Sequence, residues 1–141
     1  MPKLNFEIIT PDKIVYKDEI NQITLPTAEG EITILPGHIP LVSQTKPGEI
    51  VIKKNDEIKH MAVMRGFVEI ADDNIHLMAD AAELAEEIDE RRAEEARERA
   101  QKAREEAKDQ VEFADATVAL ERALTRIKIA KHKRRHHAKT M

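Results

Sequence analysis

The sequence predicts an α+β chain: an N-terminal antiparallel β-sandwich followed by a C-terminal antiparallel pair of helices. Three observations carry this. All six prolines and all four glycines lie at or before Gly66, so nothing beyond that point forbids a helix. Isoleucine, valine and threonine dominate the first 80 residues and favour strands. Alanine, glutamate and arginine dominate the remainder and favour helix. The expected boundary gives a sandwich over residues 1–84 and a helical arm over residues 85–141.

The strands follow in order. Leu4–Ile8 alternates apolar and polar residues, as a half-buried strand does, and Pro11-Asp12 reads as a turn. Ile14 and Tyr16 open a second strand. Ile23 and Leu25 continue the alternation up to Pro26, and Thr27–Gly30 turns again. Ile32 and Ile34 share a face of a short strand ended by Leu35-Pro36-Gly37. Pro-Gly is a strong turn pair, Pro fixing φ and Gly free to make it positive. Pro47-Gly48 precedes a strand at Glu49–Lys53, and Asn55-Asp56 makes a hairpin to Ile58. Met61–Met64 and Phe67–Ile70 flank Arg65-Gly66, and Ile75–Met78 is expected as the last strand. Eight to ten close-spaced strands suit a sandwich or barrel. They leave no room for the helices of a parallel α/β sheet.

From Asp80 a helix is expected, with Asp80 as N-cap and Glu83 closing a capping box. Leu84, Ala85, Ile88 and then Ala96, Ala100, Ala103 and Ala107 would form its buried face. A second helix carries Phe113, Ala116, Leu120, Ala123, Leu124 and Ile127 at spacings of three and four. The simplest partner for that face is the first helix, folded back through a link near Lys108–Asp115. That link has neither glycine nor proline, so one continuous helix of about 50 residues is a sterically open alternative.

Composition narrows the function. The formal net charge is −4, aromatic residues make up 3%, and there is no cysteine. Base-stacking surfaces, thiolate zinc sites and thiol nucleophiles are therefore not expected. The apolar runs are too short to span a bilayer, and the first residues lack a signal-peptide core, so a cytosolic chain is expected. Charge is segregated: Lys131–Met141 (KHKRRHHAKTM) is strongly basic, while the preceding residues are net acidic. That tip could attract an acidic protein surface, nucleic acid or anionic lipid.

Few side chains suggest chemistry. Asp89 and Arg92 are an i, i+3 pair, which on spacing alone reads as a surface ion pair. Arg92 and Arg99 share one helix face, and Arg122 and Arg126 another. If the helices fold back with those faces adjacent, four guanidiniums converge, a set suited to a polyphosphate. The plainer alternative is that these arginines pair with the many glutamates. There is no Gly-rich phosphate loop, so a nucleotide site here would be unconventional and non-hydrolytic. His38 stands alone in its turn. His132 and His136 have i, i+4 spacing but no evident third metal ligand. No catalytic set stands out.

The run Gly30-Glu31-Ile32-Thr33-Ile34-Leu35-Pro36-Gly37-His38-Ile39-Pro40-Leu41 resembles the GE-x-x-ILPGH-x-PL signature of the epsilon subunits of rotary F-type ATP synthases. Arg65-Gly66-Phe67-Val68-Glu69-Ile70 is similar to that family's GGF-x-E-V segment, with arginine in place of the first glycine, and the opening ITPDKIVY is similar too. The resemblance implies a non-catalytic subunit on the central stalk of a bacterial enzyme, at the cytoplasmic face of the plasma membrane and attached to it only through the complex. The sandwich would contact the gamma subunit and the c-ring, with Glu31 toward the ring and His38 near gamma. Nucleic acid is not among the implied partners.

The arm would act as a switch. Folded, it would permit ATP hydrolysis; extended, it would meet a beta subunit (alpha lying alongside) and block rotation. Some members bind ATP on the folded hairpin through an [IL]-D-x-x-R-A motif, which Ile88, Asp89, Arg92 and Ala93 match. Arg99, Arg122 and Arg126 match the additional arginines of those members, and Glu83 a further contact. The resemblance thus implies a regulatory ATP, with or without magnesium. A free-standing ATP sensor lacking a rotary partner is the alternative.

Overall fold

A computed structural model describes residues 2–140, with side chains as far as His132. The chain divides into two compact units, residues 1–84 and 85–141.

The first unit holds ten strands: β1 (Leu4–Ile9), β2 (Ile14–Ile20), β3 (Gln22–Thr27), β4 (Gly30–Ile34), β5 (Leu41–Thr45), β6 (Gly48–Lys54), β7 (Glu57–Val63), β8 (Gly66–Ala71), β9 (Asn74–Ala79) and β10 (Ala82–Leu84). Their hydrogen-bonded order is β10-β7-β6-β3-β5-β8-β9-β1-β2, with β4 added alongside β3. All pairings are antiparallel except β1 with β9, which runs parallel. The sheet turns its corner at β3, which bonds β6 through Gln22–Thr24 and touches β5 only at Thr27, opposite Thr45. Alternation then sends Leu4, Phe6 and Ile8 of β1, Val68 and Ile70 of β8, and Ile75 and Leu77 of β9 into one core with Ile23, Leu25, Ile50 and Ile52. Each fully buried aliphatic side chain contributes about 1.5–3 kcal/mol relative to exposure.

The turns follow their residue chemistry. Asn55 (φ 54) bends the β6–β7 hairpin, and Asp72 (φ 50) with Asp73 (φ 61) bends β8 into β9, as a two-residue turn requires. Asp73 also accepts a hydrogen bond from the Gly37 amide at 2.7 Å, which ties the Pro36–His38 turn to the β8–β9 turn.

Several boundaries differ from the sequence reading. Pro26 does not end its strand: β3 runs to Thr27, with Pro26 opposite Glu31 of β4. The segments at Ile58 and at Met61–Met64 are one strand, β7. Ile75–Met78 forms a strand, within β9, but not the last one, because β10 pairs Ala82–Leu84 with Val63–Met61. The Met64 amide bonds the Ala81 carbonyl and the Asp80 amide bonds the Arg65 carbonyl, both at 3.0 Å. Backbone claimed by a ladder cannot start a helix, so Asp80 is no N-cap and Glu83 closes no capping box.

In the second unit a 3₁₀ turn, Ala85–Glu87, precedes α1 (Glu90–Glu105) and α2 (Gln110–Thr140). Asp89 is the true N-cap of α1: its carboxylate accepts from the Arg92 amide at 3.1 Å. The bend falls earlier than expected, at residues 106–109, and it is built without glycine or proline. Asp109 accepts from the Glu112 amide at 2.8 Å, and Glu112 accepts from the Lys108 amide at 2.9 Å. These two carboxylates satisfy amides that a helix start leaves open. Arg104 lies 4.8 Å over the Phe113 ring across the bend. Lys131 approaches Glu94 at 3.8 Å, so the end of α2 returns beside the start of α1.

The helix interface is small-residue packing. Ala93, Ala100, Ala116 and Ala123 are buried with Ile127. Ala103, Phe113 and Leu124, expected on the buried face, are exposed; Phe113 packs on Arg104 instead. Leu84 belongs to β10, not to a helix face.

Two outcomes are expected of the sandwich. A Cβ on Gly66 would overlap the Met78 carbonyl oxygen and sit 2.7 Å from the Ala79 Cα. Backbone cannot yield as a flexible side chain can, so Gly66→Ala should cost at least ~2 kcal/mol in chemical unfolding. Tyr16, the single tyrosine, is pushed up to about 12 by burial first and then by the Asp18 charge. Asp18 is itself held below the usual carboxylate range by its 2.6 Å hydrogen bond from Lys54. The raised tyrosine favours the folded state fully below its unfolded pKa of ~10, and that contribution is lost as pH rises through 12. Absorbance titration at alkaline pH should show one late tyrosinate transition, shifted earlier by Asp18→Asn.

Candidate functional site

The second unit carries a groove of ≈ 580 Å³ running between α1 and α2. On α1 it is lined by Ala96, Arg99, Ala100 and Ala103, at spacings of three, four and seven. On α2 it is lined from Asp115 and Ala116 to Arg122, Ala123 and Arg126. Six of the eleven lining residues are alanine, so the floor is shallow and apolar and the walls are set by the longer side chains.

Three arginines on two helices thus face one groove. Among the described residues, Arg99 and Arg122 have no ion pair or hydrogen bond to a carboxylate, and both are exposed. The expectation that these arginines pair with neighbouring glutamates holds elsewhere on the arm: Arg91 with Glu95 at 3.4 Å, Arg97 with Glu94 at 3.1 Å. It does not hold for these two. The lining holds three guanidiniums and one carboxylate, Asp115. Guanidinium forks contributed by two helices suit an anion with several oxygens.

The other expected site residues fall differently. Arg92 is not in the groove: its side chain is 82% exposed and lies 3.7 Å from Asp89. Four guanidiniums therefore do not converge; three do. Asp89 caps α1, and Ala93, fully buried, lets the helices approach. Ile88 is half-buried just before the cap. Glu83 sits on β10 of the first unit, opposite Ala62. Asp115 was missed by sequence reasoning, although its i, i+7 relation to Arg122 placed it on the same helix face.

On the sandwich, Glu31 is exposed on β4. His38 is half-buried in the Pro36–Gly37 turn, its Nδ1 2.6 Å from the Ile39 carbonyl oxygen. A carbonyl only accepts, so Nδ1 carries the proton and Nε2 is the free acceptor of the neutral ring. Leu35 and Ile39 beside it are exposed, at 53% and 74%. His132 is exposed at the end of the described side chains; His136 and most of the basic tip lie outside them.

The chain is thus a β-sandwich unit followed by a two-helix arm that carries an arginine-lined groove. The sequence model of "ATP synthase, Delta/Epsilon chain, beta-sandwich domain" matches residues 3–85. That of "ATP synthase, Delta/Epsilon chain, long alpha-helix domain" matches residues 86–131. The chain belongs to the ATP synthase delta/epsilon family, and is a non-catalytic subunit of that complex. Similar proteins include the ATP synthase epsilon chain of Nitratidesulfovibrio vulgaris, 39% identical over 126 residues, covering 89% of this chain and 94% of the relative. That of Halalkalibacterium halodurans is 40% identical over 131 residues, covering 92% and 98%. A chain of the Euglena gracilis mitochondrial ATP synthase, from a cryo-EM structure of its OSCP/F1/c-ring, shares the fold with TM-score 0.73. It is 24% identical, covering 86% of this chain and 78% of that one. Among the described residues no helix is long and apolar enough to cross a membrane.

The caps that hold the bend can be tested apart from any ligand. Asp109→Ala removes the carboxylate on the Glu112 amide and should cost about 1 kcal/mol of arm stability. Hydrogen exchange at the start of α2 should accelerate roughly fivefold, while the sandwich amides stay unchanged.

Proposed function

We propose that this subunit works on the central stalk of a rotary, proton-translocating ATP synthase, and that ATP bound in the α1–α2 groove holds its arm folded. The sandwich couples the gamma subunit to the c-ring through surfaces that include Glu31 and the His38 turn. The arm, when extended, meets the beta subunit (beside alpha) and restrains ATP hydrolysis. The protein reaches the membrane only through the complex, at the cytoplasmic face of the bacterial plasma membrane.

One observation carries the nucleotide reading: Arg99, Arg122 and Arg126 line one groove from two helices. An anion there contacts both helices at once and so favours the folded form over any form in which they separate. A triphosphate has the charge and length to engage all three. Asp89, Arg92 and Ala93 support the site indirectly, by capping α1 and permitting close packing, and Ile88 stands at the entry to α1. Ligand linkage sets the size of the effect: about 2.7 kcal/mol at a hundredfold excess over the dissociation constant.

Calorimetric titration of the whole chain with ATP tests this. Charge-assisted hydrogen bonds contribute about 1.5–3 kcal/mol, so Arg122→Ala should weaken binding at least tenfold. Exposed Lys128→Ala, outside the groove, should bind as the wild type does. Equal heats from wild type and Arg122→Ala would sink the proposed site.

A further inference from the structure

The groove contains one acid among its lining residues, and nothing in the nucleotide reading uses it. Asp115 is exposed on α2, two helical turns before Arg122. Among the described residues no ion pair joins it to Arg99, Arg122 or any other cation. Its charge is therefore not consumed by a neighbour and acts on whatever enters the groove.

The antiparallel helices give the groove a direction. From the Asp89 cap, α1 advances through Ala96 and Arg99 to Ala103, while α2 returns from Asp115 through Arg122 to Arg126. Arg99, Arg122 and Arg126 come first along this axis, and Ala103 with Asp115 stand beyond them, toward the bend. A phosphate chain gripped by the guanidiniums and directed toward the bend would bring its terminal phosphate to the Asp115 side of the groove. Resting on the nucleotide reading, we propose that Asp115 is a specificity-determining residue: it penalises the terminal phosphate charge, so that the groove discriminates among phosphate-chain lengths and favours the cation-neutralised form of a triphosphate.

The physics is a like-charge interaction across a solvated groove. At separations near 8 Å, close to the Debye length at physiological salt, one carboxylate acting on the terminal phosphate changes affinity by roughly twofold to fivefold, more at low ionic strength. The effect scales with the ligand's charge at that end. It is therefore larger for ATP than for ADP, and it shrinks when a divalent cation neutralises the terminal phosphates.

Calorimetry on the full chain with ATP and ADP, each with EDTA or with magnesium, separates the possibilities. Asp115→Asn keeps the shape and removes the charge. It should bind magnesium-free ATP several-fold tighter than wild type, gain less for ADP, and lose its advantage when magnesium is added. Asp115→Ala should follow Asp115→Asn. If both variants keep the wild-type ATP-to-ADP ratio and magnesium response while Arg122→Ala abolishes binding, the role of Asp115 is overturned and the groove survives. If wild type and Asp115→Asn both take up neither nucleotide, the groove reading itself falls, and the inference with it.

Discussion

The arm depends on one constraint: two helices packed mostly through alanines while three guanidiniums line the groove between them. Alanine contacts bury little area, and burial stabilises by only about 25 cal/mol per Å². The small side chains nonetheless let the helix backbones approach, which brings arginines from both helices into reach of one ligand. Larger apolar residues on that face would bind the helices more firmly and fill the groove. The weak interface and the open site are the same feature of the sequence.

That economy contrasts with the first unit. There the core is isoleucine, leucine, valine, methionine and one phenylalanine, fully buried over most of ten strands. Its turns are fixed by left-handed Asn55, Asp72 and Asp73, and its close strand approach by Gly66. A few kcal/mol is a small fraction of what such a core contributes, but a large one for an alanine-packed pair. The difference between a deeply packed unit and a thinly packed one is thus written in side-chain volume.

Side-chain periodicity made most of the sandwich legible, because strands buried on one face must alternate and their turns need Asn, Asp, Gly or Pro. It failed where a short edge strand looks like a helix start. Ala82-Glu83-Leu84 has no strand-forming residue, and only its pairing with Val63–Met61 makes it β10. Asp80 and Glu83 had the spacing of a capping box, but tertiary hydrogen bonds had already taken that backbone. The groove was legible in part: the i, i+4 relation of Arg122 and Arg126 survived, while Arg92 did not join them. A capping Asp89 holds the Arg92 amide and draws its guanidinium to the helix end. Local bonding of that kind is invisible to face-counting.

The bend sharpens the energetic picture. A link lacking glycine and proline leaves a continuous helix sterically open, so the folded form needs a local reason to exist. Asp109 and Glu112 supply it, each accepting an amide that only a broken helix leaves free, and the Arg104–Phe113 contact adds to them. N-cap bonds contribute about 1 kcal/mol each, comparable to the linkage free energy of a moderately saturating ligand. The bend is therefore favoured by its own residues, independently of any ligand.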